Sequence, residues 1–207
     1  MGVAPLHNNL STSADISSLT VTLNFFYPLN EGIENYLKRH VYSCFFRKGK
    51  LLLKAGQLCE NVYFIKKGAV RGFIQDGQKD ITTWITAENE LVTSISGLDG
   101  KDPALENIQA IEDCDMLALN YTDVQTLYQQ FPEFNIVIRK LLQQYYRDAE
   151  GRAFIARLTS AESKYRYFIT YYNHLVNRIP LKYVASFLGM TLETLSRVRK
   201  KISMNRV

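Results

Sequence analysis

Histidine is scarce in this chain of 207 residues, and its distribution argues against one class of enzyme. The three histidines are His7, His40 and His174, so none lies between residues 41 and 119. A metal-dependent β-barrel enzyme needs several histidines that converge on one ion. The sequence also lacks a glycine-rich phosphate loop and a nucleophile elbow. We therefore expect no catalysis and no cofactor.

Cysteine is equally sparse, and long apolar runs are missing. Cys44, Cys59 and Cys114 are odd in number and far apart, which does not suit a disulfide framework. They also cannot supply the four thiolates of an iron–sulfur cluster. No run approaches the roughly 18 apolar residues of a membrane span, and residues 1–18 do not resemble a secretory signal. We expect a cytoplasmic protein with no membrane partner.

Charge is distributed unevenly along the chain. Residues 161–207 hold nine Lys or Arg against two Asp or Glu, a net charge of +7. The whole chain is +5, which leaves residues 1–160 at −2, with 16 basic and 18 acidic residues. A basic end on a nearly neutral body is typical of proteins that bind nucleic acid.

The first part of the chain predicts short helices followed by a series of strands. Residues 1–20 are expected to be disordered or to form a short helix, and segments 16–26 and 33–37 read as helices around Pro28. Short segments rich in Val, Ile, Tyr and Phe then recur between turn signals, at 47–54, 61–66, 69–75, 80–86, 90–95, 107–111 and 115–119. This pattern predicts an antiparallel β-roll, or jelly roll, within an α+β fold.

Beyond residue 119 the pattern becomes helical. Segment 121–131 predicts a short helix, and Pro132 with Glu133 predicts the start of a long one over 132–158. An apolar seam on this long helix indicates a dimer interface, formed by Phe134, Ile138, Leu141, Tyr145 and Ile155. The alternative is that the seam packs on the chain's own β domain. A hinge follows at 159–162, where Ser160 can cap the next helix.

Residues 181–201 predict a helix-turn-helix. Gly189 falls at the turn, Ala185 is small enough for the helices to touch, and Thr191 can cap the second helix. The second helix presents Glu193, Ser196 and Arg197, side chains that can read base edges in a major groove. Further candidate DNA contacts, some of them to phosphates, are Thr191, Thr194, Arg199, Lys200 and Lys201. The alternative is an amphipathic helix hairpin with a solvated basic face.

The order of helix, β-roll, long helix, hinge and helix-turn-helix resembles the bacterial Crp/Fnr transcription regulators. Residues 185–200 carry the most specific part of the resemblance, and residues 54–71 resemble the family's β-roll. The resemblance implies a cyclic-nucleotide-binding-like roll at 21–131, a dimerisation helix at 132–158 and a winged-helix-like DNA-binding domain at 159–207. It also implies a homodimer on a palindromic site in double-stranded DNA, with half-sites about one helical turn apart and RNA polymerase as a further candidate partner.

The sensor pocket departs from the family pattern. Family members that bind cyclic nucleotides carry a Gly-Glu pair and an Arg-Ser or Arg-Ala pair. The first pair matches Asn89 and Glu90 here, and the second falls on residues 103–106, where the chain has no arginine. The candidate effector residues are therefore Asn89, Glu90, Ala104 and Leu105.

Glu106 adds a negative charge where an anion would have to be bound. We therefore expect a degenerate pocket that does not bind cyclic AMP, and an effector of unknown identity. The alternative is a cyclic-nucleotide or other small-molecule sensor whose helix-turn-helix contacts protein rather than DNA.

Overall fold

The computed structural model describes residues 14–98 and 102–204. Most of the segment predicted as disordered therefore lies outside the described residues. Helices α1 (Ser17–Phe26) and α2 (Glu31–His40) precede the strands, as predicted. The side chain of Asn30 caps α2 by accepting a hydrogen bond from the Ile33 N–H at 2.9 Å.

Eight strands form two antiparallel sheets. They are β1 (Tyr42–Phe46), β2 (Leu51–Leu53), β3 (Asn61–Lys67), β4 (Val70–Asp76), β5 (Lys79–Thr86), β6 (Leu91–Val92), β7 (Asn107–Ala110) and β8 (Cys114–Asn120). One sheet has the order β1-β8-β3-β6, and the other has the order β2-β7-β4-β5. This is the predicted antiparallel roll, with β5 on an open edge.

The strand predictions needed three corrections, of which one is that the strand expected at 47–54 is shortened to Leu51–Leu53. Strand β1 was missed because Tyr42–Phe46 pairs with β8, about 70 residues away, and no local turn marks it. The strand expected at 90–95 is shortened to Leu91–Val92, and a 3-10 turn follows at Ile95–Gly97. These strand boundaries are set by pairing with strands that are distant in the chain, and the local sequence does not show that pairing.

The helices of the second half are α3 (Tyr121–Gln130), α4 (Pro132–Arg157), α5 (Ala161–Tyr171), α6 (Leu181–Phe187) and α7 (Leu192–Met204). Ser160 caps α5 as expected, since its hydroxyl accepts the Ser163 N–H at 3.0 Å. No strand follows residue 120 in the described residues, so α6 and α7 form a helix-turn-helix without the expected wing. None of the described helices could cross a bilayer.

The buried side chains form three clusters. One fills the β-roll, a second joins α1, α2, α3 and the first half of α4 to the outside of the roll, and the third lies among the C-terminal helices. Ala69, Ile85, Ala87 and Ile111 of the roll belong to the third cluster. The C-terminal helices therefore pack directly on the roll. A cleft remains beside this contact, between the roll and the helices.

Candidate recognition helix and interdomain cleft

Helix α7 has the local features that a recognition helix requires. Gly189 adopts a positive φ of 62° at the turn between α6 and α7, a conformation that costs glycine little. The Thr191 hydroxyl accepts the Thr194 N–H at 3.2 Å and so caps α7. Leu195 and Ile202 are buried and fix the inner face of the helix. The opposite face is therefore presented to solvent.

The exposed face of α7 carries four of the candidate DNA contacts. Glu193, Ser196, Arg197 and Lys200 are all solvent-exposed. Their spacing of three and four residues places them on one side of the helix. This arrangement brings together an acceptor, a hydroxyl and two cations, a combination that can address both bases and phosphates.

Three of the four remaining candidates have structural partners. Thr191 and Thr194 are joined through their hydroxyls at 3.1 Å, in addition to the cap. The Lys201 ammonium contacts Glu162 of α5 at 2.9 Å, which helps to hold the pKa of that carboxyl below its usual value. Arg199 is half-buried. The Thr191 cap and the contact of Lys201 with Glu162 help to position the helix, and of these two only the contact with α5 was not predicted from the sequence.

Helix α6 is docked on the open edge of the roll. The Ser186 hydroxyl accepts the Thr82 N–H at 2.9 Å and donates to the Asp80 carbonyl at 3.0 Å. The guanidinium of Arg71 lies 4.0 Å from the ring centroids of both Phe73 and Tyr183. Because Tyr183 belongs to α6, this cation–π stack joins the two parts of the molecule.

An ion-pair clamp forms a second link between the roll and the C-terminal helices. Arg178 donates to both oxygens of Glu88, at 2.7 and 2.8 Å, and to both oxygens of Glu112, at 2.7 and 3.2 Å. The Gly68 N–H also donates to Glu88 at 2.8 Å. The hydrogen bonds from Arg178 lower the pKa of Glu88 to about 2. Sequence reasoning missed this clamp because its three side chains are far apart in the chain.

A cleft of about 950 Å³, which we call the interdomain cleft, lies between the roll, α4 and the C-terminal helices. Its charged and aromatic lining includes Trp84, Glu90, Glu106, Tyr145, Asp148, Arg152, Tyr167 and Tyr172. Aliphatic side chains from the roll and α4 form much of the remaining wall. A large cavity with a few polar groups on an apolar wall is typical of small-molecule sites.

The cleft overlaps only partly with the effector residues predicted from sequence. Glu90 lines the cleft, as expected, whereas Asn89, Ala104 and Leu105 do not. Asn89 is exposed with a positive φ of 68°, so it shapes the turn. Ala104 is buried beside Gln57, and Leu105 projects into solvent. Leu105 was a candidate only because the family's second pair falls on residues 103–106, and its exposed side chain does not line the cleft.

Two half-buried glutamates define the polar part of the cleft. Glu106 accepts a hydrogen bond from the Trp84 indole N–H at 2.8 Å. Glu90 lies beside the Tyr145 hydroxyl, which also contacts the Leu91 N–H at 2.8 Å. Burial raises the pKa of Glu90 and of Glu106 above the ordinary value. The wall here is therefore poor for an anionic phosphate, which requires cationic or N–H donors.

Most of the predicted dimer seam on α4 is covered by the chain itself. Phe134, Leu141 and Ile155 are buried within the protomer, and Phe134 and Ile155 belong to two of the chain's own clusters of buried side chains. Tyr145 contributes to the cleft, and Ile138 is half-buried against the first helices. The burial of Phe134, Leu141 and Ile155 favours the alternative considered for this seam, packing on the chain's own β domain, and the position of the dimer interface stays a prediction.

A different apolar stripe of α4 faces outward. Leu142 is 49% exposed and Tyr146 is 75% exposed. Both line a shallow groove of about 730 Å³ that also includes Ile138, Arg139 and Tyr128. Large apolar groups this exposed mark a surface that another molecule can cover.

Comparisons with known proteins agree with this architecture. The cyclic nucleotide-binding domain family matches residues 44–131. Transcriptional activator protein FnrA of Stutzerimonas stutzeri is 22% identical over 173 residues, which is 77% of this chain and 69% of that protein. Transcriptional activator protein Anr of Pseudomonas protegens is 21% identical over 173 residues, which is 78% of this chain and 70% of that protein.

Solved structures share the fold at lower identity. FixK2 from Bradyrhizobium japonicum has a TM-score of 0.67 and 18% identity, over 81% of this chain and 86% of that one. A protein from Eubacterium rectale, assigned to the Crp/Fnr family of transcriptional regulators, has a TM-score of 0.68 and 14% identity, over 88% of each chain. Residues 44–131 thus match the cyclic nucleotide-binding domain family, and the chain as a whole shares its fold with these regulators.

Proposed function

We propose that this chain is a cytoplasmic, homodimeric transcription regulator that binds a palindromic DNA site and has no catalytic activity. The observation that carries the proposal is the capped helix α7, whose face of Glu193, Ser196, Arg197 and Lys200 is open to solvent. The homologous activators and the basic charge of residues 161–207 support the same function.

The chemistry of this face suggests a role for each side chain. Arg197 can donate two hydrogen bonds to O6 and N7 of guanine, and Glu193 can accept from N4 of cytosine. Ser196 can reach a base or a phosphate. Lys200 suits a phosphate, which adds affinity without reading sequence.

Selection from random duplexes tests the proposal. The purified protein should enrich a palindrome at a fixed salt concentration, and its affinity for that duplex should fall steeply as salt is raised. Arg197→Ala should cost about 1 to 3 kcal/mol on the selected duplex and relax one base preference. Lys200→Ala is the matched control, since it should weaken selected and random duplexes alike. Failure to enrich any sequence would reject the proposal.

The outward stripe of α4 is the surface we propose for the dimer. Tyr146→Glu would place a charge in the middle of that stripe, and the protein should become monomeric in light scattering. Phe25→Glu is the matched control, because Phe25 on α1 is also a highly exposed aromatic residue but lies on another helix. Dimers that persist in Tyr146→Glu would place the interface elsewhere.

We further propose that the interdomain cleft does not take cyclic AMP as effector. The support is the pair of glutamates, Glu90 and Glu106, on the part of the wall that a phosphate would have to approach. Enrichment of the palindrome should therefore be the same with and without cyclic AMP. A palindrome that appears only with the nucleotide would overturn this part of the proposal. Nucleotide binding without any DNA binding would favour the sensor alternative.

A further inference from the structure

The interdomain cleft contains more acidic than basic groups. Glu90, Glu106 and Asp148 line it as carboxylates, in addition to Glu88, which is taken up by the Arg178 clamp. The opposing guanidinium groups are Arg152, near Glu106, and Arg147, which is exposed and donates to Gln144 at 3.3 Å. The carboxylates therefore outnumber the guanidinium groups in this lining, which favours a cationic ligand over an anionic one.

The three carboxylates have neutral partners. Glu106 accepts from the Trp84 indole, Glu90 lies beside the Tyr145 hydroxyl, and Asp148 accepts from the Gln144 amide at 3.1 Å. None of the three is within ion-pair distance of a basic side chain in residues 14–98 and 102–204. Burial raises the pKa of both Glu90 and Glu106, as expected for carboxylates that lack a cation.

Aromatic rings line the same space. The Trp84 ring is seated against Gly72, where an added Cβ would lie 2.2 Å from the indole. Tyr145, Tyr167 and Tyr172 add further rings from α4 and the end of α5. Aromatic faces beside carboxylates form the environment that binds alkylammonium groups, through cation–π attraction and ion pairing together.

We propose that the interdomain cleft binds an organic cation that carries an aromatic body, with its positive group between Glu90 and Glu106. The ammonium supplies the charge that the two carboxylates lack, and the body of the ligand covers the apolar and aromatic wall. An anion of the same size meets the carboxylates and is rejected. Binding itself is independent of the proposed function, and only the description of the ligand as an effector of DNA binding rests on it.

The chain offers a direct assay, because Trp84 is its single tryptophan and lies in the wall of the cleft. The full-length protein is titrated with benzyltrimethylammonium chloride at constant ionic strength, and the tryptophan emission is recorded. Phenylacetate, which has the same ring with a negative charge, and cyclic AMP are titrated in parallel. We expect a saturable change with the cation and none with either anion. Calorimetry of the same titrations provides a readout that does not depend on Trp84.

Matched variants locate the binding. Glu90→Gln combined with Glu106→Gln keeps an acceptor oxygen at each position but removes both charges, so the affinity for the cation should fall at least about tenfold. Glu133→Gln combined with Glu150→Gln removes the same charge from α4 outside the cleft lining, and its affinity should stay within about twofold of the parent.

Three results would overturn the inference. One is saturable binding of phenylacetate or cyclic AMP that is as tight as that of the cation, and another is unchanged cation affinity in the Glu90 and Glu106 variant. Absence of any cation binding is the third. Binding to the selected duplex is measured separately by fluorescence anisotropy, so a failure of DNA binding is recorded apart from a failure of the cleft. A cation that binds in the cleft supports the inference even if the protein binds no DNA.

Discussion

Glu88 and Glu90 are separated only by Asn89, yet they belong to two regions with opposite electrostatics. Glu88 faces the C-terminal helices, where the bidentate contact with Arg178 lowers its pKa to about 2. Glu90 faces the interdomain cleft, where burial raises its pKa. The two residues have the same type of side chain, yet the anionic form is stabilised at Glu88 and destabilised at Glu90.

This contrast separates a structural contact from a vacant binding group. The clamp already holds its cation, so it can fix the position of the helix-turn-helix but cannot bind a charged ligand strongly. In the cleft, Glu90 and Glu106 form no ion pair with a basic side chain of the described residues, which leaves free energy for a cationic ligand to gain. Glu88 of the clamp and Glu90 of the cleft lie at the same turn. A ligand that moves Glu90 therefore also acts on the segment that carries Glu88. Such a ligand shifts the position of α6 and α7 only if it binds one arrangement better than another.

The largest expected effect comes from breaking the clamp. Arg178→Ala leaves Glu88 and Glu112 half-buried without their cation, and we expect a loss of about 2 to 3 kcal/mol in the free energy of unfolding, reduced from the value for a fully buried pair by solvent screening. Urea denaturation followed by circular dichroism measures it.

The matched control is Arg166→Ala, whose guanidinium contacts Glu162 at 2.8 Å on the open surface. An exposed pair of this kind should contribute far less to stability than the clamp. Equal losses in the two variants would mean that the clamp is no more than a surface ion pair, and the contrast between the two regions would disappear.

The next effect tests whether the cleft wall is rigid. Gly72→Ala would place a Cβ 2.2 Å from the Trp84 ring, so the indole has to move. We expect a loss of about 1 to 3 kcal/mol, as for other overpacked sites, together with a shift of the tryptophan emission.

The same substitution in a Trp84→Phe variant tests whether the clash is with the indole ring. In Trp84→Phe the smaller ring leaves room for the Cβ, and the cost of Gly72→Ala should decrease, by unfolding free energies measured in a double-mutant cycle. An emission spectrum that does not change in Gly72→Ala would show that the wall adapts without moving Trp84.

The helix-turn-helix and the cleft differ in how much of their structure could be predicted from the sequence. The helix-turn-helix lies within 21 consecutive residues, and the positive φ of Gly189, the Thr191 cap and the burial of Leu195 all follow from local rules. The β4–β5 hairpin was also predictable, because Gly77 marks its turn with a positive φ, and Gly68 likewise marks the connection between β3 and β4, which lie in different sheets. These features depend on neighbours in the chain.

The cleft, the clamp and the α4 surface depend on distant residues, and sequence reasoning failed there. Helix α4 has two apolar stripes, and its sequence does not say which one the roll will cover. The stripe through Leu141 is buried in the protomer, and the stripe through Tyr146 is exposed. Glu106 was noted only as an unwelcome charge, since nothing local indicated that it would meet Trp84.

The smallest expected effect is a difference of sign between two neutralising substitutions. The pKa of Glu88 is lowered from 4.5, so its ion pair stabilises the fold above about pH 4.5, and this stability is lost as the pH falls towards 2. Glu88→Gln should therefore cost about 1 to 2 kcal/mol at pH 7, after solvent screening, and less as the pH approaches 3.

The pKa of Glu90 is raised, so the stability of its neutral form is present at low pH and is lost as the pH rises through the raised pKa. Glu90→Gln keeps an acceptor for Tyr145 and removes the buried charge, so it should be neutral or stabilising by up to about 1 kcal/mol at pH 7. Urea denaturation of both variants at pH 7 and pH 4 measures the difference, and a loss of stability in Glu90→Gln as large as that in Glu88→Gln would mean that Glu90 already has a cation within the folded chain.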